Sequence, residues 1–166
     1  MRWKIIIVFI LLFAITSIGC VSKQENYTDK LKESCIEATI TGIKLDIERL
    51  EGYLKLPDLK NRSEVEKALS KLYEDLRKYQ NMNVKDYELP KPLKIRGYIS
   101  EPYVVDSIIY LEKQSKSGPF YHAVKVMGDK ENDIKPKEIY EFTIYPVYRR
   151  YYPFEAWYVL IESFEK

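Results

Sequence analysis

One periodic run constrains this chain more than any other. Ile36, Ile40, Ile43, Ile47, Leu50 and Leu54 recur at alternating intervals of four and three. That is the a/d seam of a helix burying a narrow stripe against a second helix. A matching seam follows at Val65, Leu69, Leu72, Leu76 and Tyr79. Between them, Leu56-Pro57-Asp58 stops the first helix, because proline pushes the residue before it out of the helical region. Ser63-Glu64-Val65-Glu66 has the form of a capping box that opens the second. Two seams joined by a short loop predict an antiparallel helical hairpin. The first helix should run from about Tyr27 to Leu56 and the second from Glu64 to Asn81, spanning about 45 Å and about 27 Å at 1.5 Å per residue. The shorter helix leaves the first turns of the longer one uncovered. A second stripe on the first helix, Leu31, Ala38 and Leu45, is flanked by the small residues Ser34, Thr41 and Gly42. It calls for either the C-terminal sheet or a second copy of the chain to cover it.

Beyond residue 92 the pattern changes to β. Asn81-Met82-Asn83 breaks the second helix, and Pro90-Lys91-Pro92 sets an extended path through a linker at 82–92. Five segments rich in branched and aromatic residues follow, at Leu93–Ser100, Tyr103–Glu112, Phe120–Met127, Glu138–Arg149 and Glu155–Phe164. Polar turns separate them, so 93–166 is predicted to be a five-stranded antiparallel domain and the whole chain α+β. Leu93-Lys-Ile-Arg-Gly-Tyr-Ile-Ser resembles the opening strand of an OB-like barrel, with Gly97 at a bend, and Lys135-Pro-Lys-Glu-Ile-Tyr-Glu-Phe resembles a later strand of one. The same Pro-x-Glu turn before a strand also resembles the short immunoglobulin-like domains of surface lipoproteins, although a sandwich of that kind needs about seven strands.

The N-terminus suggests where the chain resides. Arg2 and Lys4 precede an almost unbroken apolar run, Ile5 to Ile18, which closes on Ser17-Ile18-Gly19-Cys20. A basic start, an apolar core and small residues at the end form the layout of a secretory signal. Ending on Gly-Cys, residues 1–20 resemble the signal of a membrane lipoprotein, in which the cysteine receives lipid and becomes the new N-terminus. Position 17 carries Ser where such signals usually carry Leu, Val or Ile. The resemblance implies lipidation at Cys20, a tether over 21–35 that merges into the first helix, and a body held at the cell membrane, facing outside. A retained transmembrane helix is the alternative, because the run sits between signal and spanning lengths. Either way the membrane is a partner, through lipid or helix, and the basic flank leaves Val21 onward outside.

Charge and chemistry exclude several classes. Of 27 basic residues only Arg2 and Lys4 lie in the acid-free leader, so the body balances at 25 basic against 25 acidic. A neutral body argues against nucleic acid as a partner. Abundant Lys, Glu, Ile and Tyr beside one His give the composition a thermophile-like cast. One His and one non-anchor Cys cannot supply the four ligands of a structural zinc site, so no metal and no cofactor is expected. No phosphate loop, nucleophile elbow or Cys/His pairing is present, so no catalytic residue is assigned. His122 reads as a core or edge residue, Cys35 as a small buried hydrophobe, and Asp106 as a structural carboxylate paired to a cation such as Arg96.

One constellation suits binding: Tyr148, Arg149, Arg150, Tyr151, Tyr152 and Phe154, followed by Trp157 and Tyr158. Exposed aromatics interleaved with Arg stack on sugars or anchor protein interfaces. Used structurally, the same rings would cover the end of the β core. The sequence thus predicts a cell-surface lipoprotein with a binding or structural role. A small-ligand binder, for instance for saccharide, is the alternative, and so is a protein partner or self-association. A hydrolase would need two carboxylates facing one pocket.

Overall fold

The computed structural model describes residues 2–113, 120–128, 130–150 and 155–166, with side chains from residue 26 onward. Helix α1 (Arg2–Leu54) runs without interruption from the leader through the polar stretch read as a tether. No proline falls within it, and Lys23, Gln24 and Glu25 are good helix formers, so nothing in that stretch stops propagation. Helix α2 (Arg62–Gln80) returns antiparallel. It starts two residues earlier than the capping-box pattern suggests. The Asn61 carbonyl accepts from the backbone N–H of Glu64 and Val65, at 3.1 and 3.2 Å, and Ser63 lies inside the first turn.

The seam closes at its distal half. Ile43, Ile47 and Leu50 pack with Val65 and Leu72, and the half-buried Leu54, Leu69, Leu76 and Tyr79 flank them. Ile36 and Ile40, the first two seam positions, belong instead to a second core with Met82, Val84, Tyr87 and Leu89. The linker is therefore not a bare extended path. It makes a short 3-10 turn at Val84–Asp86, capped by the Asn83 side chain, and folds Tyr87 onto α1.

Strands β1 (Leu93–Ile99), β2 (Ser107–Leu111), β3 (Phe120–Val126), β4 (Tyr140–Arg150) and β5 (Ala156–Glu165) close into a barrel of order β1-β2-β3-β5-β4. This is the strand order of an OB-like barrel, and a single closed five-stranded sheet excludes the two-sheet immunoglobulin arrangement. The all-antiparallel expectation fails at one pair: β3 and β5 run parallel. Topology requires it, because directions cannot alternate all the way round a closed ring of five strands. β1, β2 and β3 are joined in succession, β4 crosses to pair with β1, and β5 returns beside β3 in the same direction. Pro146, which offers no backbone donor, sits where the β4–β5 register shifts.

The first half of the segment read as the second strand is a loop. Ser107 Oγ accepts from the Val104 N–H at 2.9 Å and donates to the Val104 carbonyl at 2.7 Å. Asp106 is held at φ 77°, a conformation that ends pairing. Ile99, Ile109, Tyr121, Ala123, Phe142, Ile144, Val159 and Ile161 fill the barrel. Gly97 is needed on its wall, since a Cβ there would lie 2.4 Å from the Tyr110 carbonyl oxygen.

The stripe on α1 is covered by the outer face of the barrel. Leu31, Cys35 and Ala38 pack against Val124, Tyr145, Tyr158 and Leu160, and Leu45 joins at the margin. The approach is closest at Gly42, where an added Cβ would meet Tyr158 Cδ2 at 2.7 Å. Among the described residues no helix is long and apolar enough to cross a membrane. The side chains of Ile5–Ile18 and Cys20 lie outside the described residues.

Candidate functional site

Where α1 crosses the barrel, polar groups replace the apolar packing. Asp46 lies one turn beyond Gly42 on the same side of α1, and Arg49 lies three residues further. The hydroxyl of Tyr158, from β5, donates to Asp46 Oδ1 at 2.7 Å. Arg49 Nη1 donates to the same carboxylate oxygen and, at 3.0 Å, to the Tyr158 hydroxyl. Its Nη2 reaches Asp106 Oδ2 at 3.5 Å, and Asp106 Oδ1 holds His122 Nδ1 at 2.8 Å. Arg150 is buried over the Tyr158 ring, 5.8 Å from its centroid, and the His122 ring meets that ring edge-on at 5.8 Å.

Two carboxylates, two guanidiniums and one imidazole thus meet around a fully buried tyrosine. Burial pushes the Asp46 carboxyl above its ordinary value, outweighing the Tyr158 hydrogen bond and the charges of Arg49 and Arg150 that act against it. Burial, with the Asp46 charge, pushes the Tyr158 phenol up to about 12. The cluster satisfies its polar groups from within, as buried charge requires. Asp106 is the structural carboxylate expected from the sequence, but its cation is Arg49. Arg96 pairs with Glu112 at 2.8 Å instead. His122 is buried beside Asp106, and Cys35 is a buried free thiol pushed up to about 12 by burial.

Through Asp46 the cluster borders a groove of about 430 Å³ between the helices and β4. Leu50, Ala68, Leu72 and the Tyr148 ring give it an apolar floor, and Asp46, Lys71, Asp75 and Arg149 are its ionic groups. That volume is in the range of small-molecule sites. Tyr148 stacks on Tyr158 at 6.4 Å between centroids. Burial raises its phenol, and the negative charges of Asp46 and Asp75 raise it further, so both carboxylates bear on this one wall.

The aromatic and arginine run predicted as a binding patch divides between two surroundings. Tyr148 and Arg150 face the helices and are tied into the buried cluster. Arg149 stands over Trp157 at 5.6 Å, with its Nε donating to Glu155 at 3.0 Å, while Trp157 packs on the barrel core. Tyr151, Tyr152 and Phe154 lie outside the described residues.

Sequence reading placed Tyr158 at the end of the aromatic run but missed Asp46, Arg49, Lys71 and Asp75. A signal existed for two of them. Ala38, Gly42, Asp46 and Arg49 are spaced four, four and three, so the ion pair continues the small-residue face of α1. Among the described residues no group of three or more His, Cys, Asp or Glu is placed to hold a metal. The chain matches no protein-family model, no curated protein and no solved structure.

Proposed function

We propose that the protein is a non-catalytic lipoprotein of the cell surface, anchored through Cys20, that binds a small ligand in the groove between the hairpin and β4. The continuity of α1 carries this reading. The helix that begins in the apolar leader also supplies Asp46 and Leu50 to the groove. From Cys20 to Tyr27, whose hydroxyl donates to Glu162 of β5, the helix rises about 10 Å at 1.5 Å per residue, enough for a short stiff stalk. Burial of Leu31, Ala38 and Ile36 fixes the barrel to that stalk, and the groove is carried on rigid elements rather than on loops.

Asp46 and Asp75 line the same groove, which is the feature a hydrolase would need. Asp46 Oδ1 is already engaged by Tyr158 and Arg49, so the pair does not offer one free acid and one free base, and binding is the better reading. A second reading places partner or saccharide capture on the exposed side of Arg149 stacked over Trp157, where cation and ring together suit sugar or protein contacts.

Mass spectrometry of the native protein tests both parts. A mature N-terminus at a lipid-modified Cys20 is expected, and an intact Met1 would overturn lipidation. Small molecules extracted from the washed native protein should include one that is lost in Ala68→Trp, which fills the groove. No difference between the two extracts would remove the groove as the site.

A further inference from the structure

Resting on the groove reading, we infer that the ligand is a zwitterion with an apolar body, of the class of a free apolar amino acid. Two of the groove's four ionic groups are left without a protein partner among the described residues. Asp46 is engaged by Tyr158 and Arg49, and Arg149 by Glu155. Lys71 and Asp75 make no ion pair or hydrogen bond among the described residues. They stand one helical turn apart on α2, a spacing that brings side chains together. The order is the less favourable one, however: pairs of this kind are stronger with the acid N-terminal to the base. The groove therefore presents a cation and an anion side by side, above a floor of Leu50, Ala68, Leu72 and Tyr148.

Each simpler ligand leaves something wrong. A wholly apolar molecule would desolvate both charges without replacing their water. An apolar carboxylate would satisfy Lys71 but lie against Asp75 and near Asp46. An apolar amine would satisfy Asp75 and sit on the Tyr148 ring, but it would face Lys71 with Arg149 close by. Specificity comes from such like-charge penalties as much as from attraction. A molecule carrying ammonium and carboxylate on neighbouring atoms answers both groups at once. Its ammonium falls between Asp75 and the electron-rich Tyr148 face, and its carboxylate meets Lys71. The apolar side chain then lies on Leu50, Ala68 and Leu72, where burial is favourable. Leu50, Ala68 and Leu72 offer no polar group to a hydroxyl or amide on that side chain, which favours apolar amino acids.

Isothermal titration calorimetry on the full chain in detergent, with three water-soluble probes of one body, separates these cases. L-Phenylalanine carries both charges, 3-phenylpropionate only the carboxylate and 2-phenylethylamine only the ammonium. L-Phenylalanine should bind at least about tenfold more tightly than either analogue, about 1.4 kcal/mol per tenfold step. Lys71→Met should reduce its affinity to that of 2-phenylethylamine, and Asp75→Asn to that of 3-phenylpropionate. Ala68→Trp should abolish the heat. Lys71 is exposed and Asp75 half-buried, and neither makes an ion pair or hydrogen bond among the described residues, so both variants should fold, which circular dichroism checks. If an analogue binds as tightly as L-phenylalanine, with heat that Ala68→Trp removes, the zwitterion is wrong and the groove remains a binding site. Silence from all three probes, or L-phenylalanine heat that survives Ala68→Trp, overturns the zwitterion. The groove then stands or falls on the extracted-ligand comparison.

Discussion

Helix α1 has two working faces, and they are built on opposite principles. Toward α2 it presents Ile43, Ile47 and Leu50, large apolar residues at heptad spacing that meet Val65 and Leu72. Toward the barrel it presents Ala38 and Gly42, small enough to let a strand approach, and then Asp46 and Arg49, which lock to Tyr158. The first face depends on bulk, and any apolar residue of similar size preserves it. The second depends on the absence of bulk at one position and on directed hydrogen bonds at the next, and tolerates almost no substitution. The groove lies where the two faces meet.

Ile47→Asp tests the apolar face and should have the largest effect. It removes a buried side chain and places an unpaired charge in the seam, at a cost of about 4 kcal/mol or more. Urea unfolding reads this directly, and a midpoint near wild type would mean that the two helices do not share a core. Gly42→Val tests the absence of bulk on the other face. With a Cβ only 2.7 Å from Tyr158, overpacking should cost about 1–3 kcal/mol. Gly52→Ala on the same helix meets nothing within 4 Å and should instead gain up to about 1 kcal/mol. Equal effects at the two glycines would erase the contrast.

Tyr158→Phe isolates the directed bonds. It keeps the ring that Tyr148 and Arg150 pack on but takes the hydroxyl from Asp46 and Arg49, so thermal unfolding should show a loss of about 1–3 kcal/mol. The smallest effect is a slope. Burial raises the Asp46 carboxyl above its ordinary value, so in that range the native chain binds more protons than the unfolded one. Its contribution is then fully present below about pH 4 and is lost as pH rises through the folded value. Relative to Asp46→Asn, wild type should therefore lose stability as pH increases from about 4 toward neutrality. Unfolding curves for both proteins across that range would settle it, and parallel stability–pH profiles would mean that Asp46 is not held in a desolvated position.

The hairpin was written in the sequence because its information is local. A four-and-three alternation and a Pro57 stop depend only on helix geometry, and Ile43, Leu50, Val65 and Leu72 stand where that geometry puts them. The five strands were legible for the same reason, through alternation and turn residues. Strand direction was not: the parallel β3–β5 pair follows from closing an odd-numbered ring, a property of the whole sheet that no single segment carries. The linker's role also depended on the fold, since Tyr87 becomes core only when α1 lies beneath it.

The site divides along the same line. Tyr148, Arg149, Arg150 and Trp157 drew attention because aromatics and arginines cluster there in sequence, yet the fold sends them to different neighbours. Asp46 and Tyr158 are separated by 112 positions, and Lys71 and Asp75 look like ordinary solvent-facing charges on an amphipathic helix. Sequence determines which residues can form a helix or strand, because those bonds close over a few positions. Which charges share a groove is decided only when a barrel strand docks on α1, because Coulomb and hydrogen-bond energies depend on distance in space and not along the chain.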